Sequence, residues 1–199
     1  HGLSTSNLAE HTITAIAAHP SDVAVPTLKQ LIAPEQPRQT RENAVFWMMQ
    51  NHAVNSADAV RALMFEDKDH RLRKHAVFSF AQARLSSSHS DLVHVGTTDT
   101  NAEVRSDAWF WLANTGSARA EAAILNAIHK EPSAKVRENA VFALSQLPSS
   151  RATDALIAVV ETRTYGKHVR KQAMFWLAQS EDDRAFHYLE KILSQASSR

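Results

Sequence analysis

The 199-residue chain is long enough for one large domain or two small ones, and its 44% hydrophobic content excludes wholesale disorder. Its 22 Lys and Arg against 21 Asp and Glu leave a formal charge of +1, without the single-sign excess on which non-specific nucleic-acid binding rests. Four glycines, six prolines and no cysteine, with no run near the roughly 18 apolar residues of a membrane span, point to an all-α chain lacking disulfides and thiolate chemistry.

Residues 7–36 read as a degenerate first helix pair: Pro20-Ser21-Asp22 breaks it, and Leu28 and Leu31 fill the apolar slots of its second helix. It lacks the Arg and Phe of every later unit, as suits a terminal cap. The unit 37–68 then opens a pattern that recurs over 69–100, 101–132, 133–165 and 166–196. The segments RENAVFWMMQ, RKHAVFSFAQ, RSDAWFWLAN, RENAVFALSQ and RKQAMFWLAQ begin at Arg41, Arg73, Arg105, Arg137 and Arg170, at spacings of 32, 32, 32 and 33.

With positions counted from that Arg, the third is always Ala (Ala44, Ala76, Ala108, Ala140, Ala173) and the fifth Phe (Phe46, Phe78, Phe110, Phe142, Phe175). The ninth is an amide (Gln50, Gln82, Asn114, Gln146, Gln179). Apolar residues recur at nineteen (Val60, Leu92, Ile124, Leu156, Leu189) and at twenty-two (Leu63, Val95, Ala127, Val159, Ile192). Each unit is therefore two helices. At 100° per residue the first helix is apolar on more than one side, as when a helix packs against its partner and against the units before and after. Glu131-Pro132-Ser133 and Pro148-Ser149-Ser150 supply breaks and N-caps, and short connectors make neighbours antiparallel. The whole of 1–199 is expected to be one solenoid domain of about six helix pairs.

Val-Arg-x-x-Ala (Val104 to Ala108, Val136 to Ala140, Val169 to Ala173), followed by Arg-Ala-x-x-x-Leu (Arg151 to Leu156, Arg184 to Leu189), resembles the short HEAT repeats of bacteria, of the PBS-lyase-HEAT-like kind. Ala173-Met174-Phe175-Trp176-Leu177-Ala178-Gln179-Ser180 is similar to their AVFWLSQ variety. The resemblance implies an α-α superhelix with first helices convex and second helices concave. It also implies a bacterial source; the lack of an apolar span leads to the expectation of a soluble chain, with cytoplasm and periplasm both left open. Because the chain starts His-Gly-Leu-Ser without Met, a processed or partial form is expected, with a signal or further domain upstream.

Candidate chemistry is sparse. A residue present in every unit serves what every unit shares, so the Arg file reads as an internal ladder to carboxylates or helix ends of neighbouring units. The Phe file, with Trp47, Trp111, Trp176 and nearby Trp109, reads as inter-unit packing. Ser79 and Ala143 stand in the Trp slot of two units and leave room there for local pockets. Positions two and nine (Asn43 with Gln50, His75 with Gln82, Asp107 with Asn114, Asn139 with Gln146, Gln172 with Gln179) share a face and read as polar links to loops or helix ends of the next unit.

Metal chemistry is not expected. His70 with His75 and His89 with His94 are five apart rather than three or four, and no His-Glu dipeptide occurs, unlike the pairs on HEAT-type metal-dependent hydroxylases. No phosphate loop or nucleophile elbow is present, and no catalytic residue or cofactor is assigned. What varies between units lies on the second helices: Asp58, Arg61, Asp91, His94, Asn126, Asp154, His187, Tyr188 and Glu190. Variation on a constant scaffold marks a recognition surface, and the expected function is a non-enzymatic scaffold holding a protein or peptide on its concave face. The alternatives are a HEAT-like enzyme, bilin lyase-like or DNA glycosylase-like, and a regulatory or spacer segment of a larger protein. Asp58, Asp91 and Asp154 on that face weigh against DNA.

Overall fold

The computed structural model describes residues 5–50, 54–117 and 119–197. They form helices α1 (Thr5–Ala17), α2 (Ser21–Leu31), α3 (Arg38–Gln50), α4 (Val54–Glu66), α5 (His70–Gln82), α6 (Ser88–Thr98), α7 (Ala102–Asn114), α8 (Ala120–Lys130), α9 (Ala134–Ser145), α10 (Ser149–Glu161), α11 (Gly166–Ala178) and α12 (Asp183–Ser197). A single 3-10 turn, Arg163–Tyr165, precedes α11, and no strand occurs among the described residues.

The helix starts carry their own repeat. Four residues before the Arg, Asp69 accepts a hydrogen bond from Arg71 N–H, Asn101 from Glu103 and Val104 N–H, and Ser133 from Val136 N–H. Each N-cap satisfies amides that the first turn leaves unpaired. In the last unit this slot is Gly166, where the period lengthens by one residue. The extra residue is taken up by the 3-10 turn and by Gly166 at φ 71°, a left-handed value that a side chain would strain.

The chain divides into two compact units, 1–91 and 92–199. In the first, α1, α3 and α5 form one layer and α2 and α4 the other; in the second, α7, α9 and α11 face α8, α10 and α12. Within the units, second helices also pack on the next repeat's first helix: α2 on α3, α4 on α5, α8 on α9 and α10 on α11. The core follows the registers of the sequence. All five Ala residues at position three are buried, as are Met48, Phe80, Leu112, Leu144 and Leu177 at position seven, and Val60, Leu92, Ile124 and Leu156 at nineteen.

Within each unit the first helices pack on one another more closely than the second helices do. The physical reason is size. Buried alanines and parallel Phe rings let first helices approach, whereas successive second helices are held apart by the first helix that each packs against.

One pairing departs from the average repeat. At position four, Val45, Val77 and Val141 are small, but Trp109 is not, and its ring is fully buried. At position twenty-three of the preceding repeat, Met64, Ile128 and Val160 are replaced by Gly96. A Cβ on Gly96 would come within 2.5 Å of Trp109 Cε2, so a large-for-small exchange is matched by a small-for-large one across the repeat boundary.

Candidate functional site

The Arg file forms a ladder, buried at Arg41 and Arg73 and half-buried at Arg105, Arg137 and Arg170. Arg41 donates from Nε to the Ile32 carbonyl at 2.8 Å and pairs with Asp67 of the following linker. Arg73 donates to the Asp67 carbonyl at 2.7 Å. Arg105 grips both Glu131 oxygens, at 3.0 and 2.8 Å, and donates to the Asp99 carbonyl at 2.8 Å. Arg137 bonds the Glu131 carbonyl at 2.9 Å, and Arg170 that of Val160. Asp67, Asp99 and Glu131 all stand twenty-six residues after an Arg, a signal legible in the sequence but missed there; after Arg137 the slot holds Arg163. Burial alone would raise the Glu131 carboxyl. Hydrogen bonds from Arg105 and Ser133 N–H, with the charges of Arg105 and Arg137, outweigh it and hold the group below its ordinary value.

The Phe file packs between repeats. Phe46 stacks on Phe78 at 6.4 Å and Phe110 on Phe142 at 5.8 Å, the rings near parallel, and Phe142 then meets Trp176 at 4.8 Å. Phe46, Phe110 and Phe175 each meet the next residue's Trp edge-on. Ser79 and Ala143, expected to leave pockets in the Trp slot, are themselves fully buried. A cavity of about 330 Å³ lies elsewhere, where the ends of α9 and α11 meet α10, lined by Gln146, Leu156, Trp176, Gln179 and Glu181.

The amide file does not behave as expected. Gln50, Gln82, Asn114, Gln146 and Gln179 are exposed. Asn114 bonds its own helix at Phe110 and Gln146 its neighbour Ser145. Position nine thus faces water, because the turn that follows leaves it at the helix end. Position two does link repeats at Asn139, which donates to Ser106 Oγ at 3.0 Å. Burial lowers the affinity of the His75 imidazole for a proton despite the opposing charge of Glu42.

The second-helix residues fall into three kinds. Asp58, Arg61 and Asp91 form one network: Arg61 bonds Asp58 Oδ1 at 2.5 Å, Asp91 Oδ2 at 3.1 Å and Ser87 Oγ at 3.0 Å, and its guanidinium lies 5.5 Å from the Phe80 ring centre. Burial opposes the charge on Arg61, but the two aspartates raise its pKa overall. The Asp91 side chain keeps only 13% of its exposure, so it is a structural tie, whereas that of Asp58 keeps 75%. Asp154 is likewise exposed and pairs with Arg184 at 2.9 Å; Arg184 also grips Asp182 and the Ser150 carbonyl. That grip draws the Asp182 pKa down to about 2.

Arg151 repeats the reach of Arg184, donating to the Gly116 and Ser117 carbonyls. Both arginines stand fourteen residues after a ladder Arg and hold the preceding repeat's turn. His94 and Asn126 are exposed. His187 and Glu190 sit 3.5 Å apart on α12, and the half-buried Tyr188 phenol is raised first by burial and then by Glu161. Among the described residues no three His, Asp or Glu are grouped to hold a metal, and no helix is long and apolar enough to cross a membrane.

A family model described as HEAT repeats matches residues 90–166 and again 121–199. Among solved structures, human deoxyhypusine hydroxylase in complex with glycerol is similar at 18% identity and a TM-score of 0.49, over 89% of this chain and 76% of that one. An engineered protein is similar at 19% identity and a TM-score of 0.45, over 97% and 90%. No curated protein matches significantly. Members of the Arg ladder, buried Ala file and stacked Phe file recur within the matched residues, and the match spans more than half of the sequence: the chain belongs to the HEAT-repeat family.

Proposed function

We propose that this protein is a non-enzymatic interaction scaffold that holds a protein or peptide partner on the exposed side chains of its second helices. One observation carries the reading. The side chains constant from repeat to repeat are largely engaged in stacking, while Asp58, His94, Asn126, Asp154, His187 and Glu190, which differ between repeats, are exposed. Arg61, tied to Asp91, holds Asp58 on α4, and Tyr188 is half-buried beside His187 on α12. Determinants spread over several repeats give each residue a small share, and a preformed helical array avoids part of the ordering cost of association.

The test is affinity capture with mass spectrometry to identify a partner, followed by titration of the chain carrying Asp58→Ala, Asn126→Ala, Asp154→Ala and Glu190→Ala together. Each substitution is expected to weaken binding by less than about tenfold and the set by far more. An unchanged dissociation constant in the quadruple variant would remove the second-helix surface from consideration.

A further inference from the structure

The cavity of about 330 Å³ between the repeats 133–165 and 166–196 brings together groups that stacking leaves unused. Its floor is apolar: Leu147, Ala152 and Leu156 are all buried. Trp176 forms one wall, its indole held by Phe142 at 4.8 Å and Phe175 at 5.0 Å and still half-buried. Trp47 and Trp111 stand at the same position with described repeats after them and are half-buried too, so this exposure belongs to position six and not to the end of the chain.

The rim carries hydrogen-bond acceptors. Gln146 and Gln179, successive members of the amide file, both line it. Gln146 spends its Nε2 on Ser145 Oγ and keeps its Oε1 oxygen, and the Gln179 side chain makes no hydrogen bond among the described residues. Glu181 is the charged member of the lining; it is exposed and has no ion pair or hydrogen bond among the described residues. The arginines nearest in sequence are already committed. Arg184 holds Asp154, Asp182 and the Ser150 carbonyl, and Arg151 holds the Gly116 and Ser117 carbonyls. Positions six and eleven combine an indole with an acid in this repeat only: the earlier pairs are Trp47 with His52, Ser79 with Arg84, Trp111 with Gly116 and Ala143 with Pro148.

We infer that this cavity receives an arginine side chain of a bound peptide or protein. The aliphatic stem lies over Leu147, Ala152 and Leu156. The flat guanidinium packs on the Trp176 indole and donates to the Glu181 carboxylate and to the amide oxygens of Gln146 and Gln179. A volume near the lower limit of ligand pockets suits one long side chain rather than a cofactor. The site opens where α9 and α11 end, so it adds a determinant to the second-helix surface and rests on the scaffold reading only for the source of the arginine.

The test uses two tripeptide amides, acetyl-Ala-Arg-Ala and acetyl-Ala-citrulline-Ala, the second close to the first in shape but without its charge. In two-dimensional NMR spectra of the full chain, the arginine peptide should saturably shift the Trp176 indole N–H and the Gln146 and Gln179 side-chain amides. The citrulline peptide should bind at least about tenfold more weakly. Glu181→Gln should weaken the arginine peptide about fivefold or more with the melting curve unchanged, because the carboxylate is exposed and unpaired in the free chain. Absence of saturable shifts at these groups, equal binding of the citrulline peptide, or unchanged affinity in Glu181→Gln each overturns the proposal. None of the four second-helix substitutions falls on a lining residue, so failure of that surface and failure of this cavity are read on different variants.

Discussion

Helices α10 and α12 occupy the same place in consecutive repeats and carry the same apolar register, yet their fates differ. Leu156, Val159 and Val160 of α10 are buried, while Leu189 and Ile192 of α12 are half-covered and Leu193 is exposed. The chemistry of the three slots is the same. The difference is the first helix that follows: α11 packs on α10, and no described helix packs on the outer side of α12. Burial in a stacked array is a nearest-neighbour property, so a residue's energetic weight depends on the unit beside it as much as on its own identity.

The comparison breaks most sharply under a buried charge. Val160→Glu is expected to cost at least about 4 kcal/mol and to unfold the C-terminal repeats, because a carboxylate would be forced beneath α11 without a partner. Leu193→Glu, at the equivalent slot, should leave the thermal midpoint of the single chain within a few degrees of the parent. Melting curves of the two variants, followed by circular dichroism, decide the matter; equal losses would mean that α12 is covered after all.

A finer version probes how one repeat fits the next. Gly96→Ala places a methyl against the Trp109 ring and should cost about 2 kcal/mol by denaturant unfolding. Combined with Trp109→Val, which restores the pairing of small position four with larger position twenty-three found elsewhere, the penalty of the methyl should largely vanish. A double-mutant cycle should then show a coupling of about 1 kcal/mol or more; additive effects would deny the pairing.

The smallest effect concerns the ladder. Glu131→Gln removes the charge gripped by Arg105 and should cost about 1–2 kcal/mol near neutral pH. The sign of its pH dependence follows from the lowered carboxyl: its stabilisation is present above the ordinary value of 4.5 and is lost as pH falls through the depressed folded value. Parent and variant should therefore converge in stability in acid, as pH-dependent denaturant midpoints would reveal. Asp154, exposed and paired with Arg184, marks the contrasting case, where solvent screening leaves little stability to lose.

Much of this was written in the chain. The period, the two helices per unit and the burial of the Ala and seventh-position residues follow from spacing alone, because α-helical geometry turns a sequence interval into a direction. The N-cap Ser133 was read there too, while Asp69 and Asn101, at the same place in their repeats, were passed over. Tertiary structure decided the rest. It set the first helices closer together than the second, turned the ninth-position amides to water, and tied Arg61 and Asp91 into one network while leaving Asp58 exposed. It also made Gly96 and Trp109 partners thirteen residues apart in sequence, and left Phe186 and Leu193 bare. Local spacing specifies which way a side chain points along its own helix, but whether something lies in that direction depends on the size and position of the neighbouring repeat.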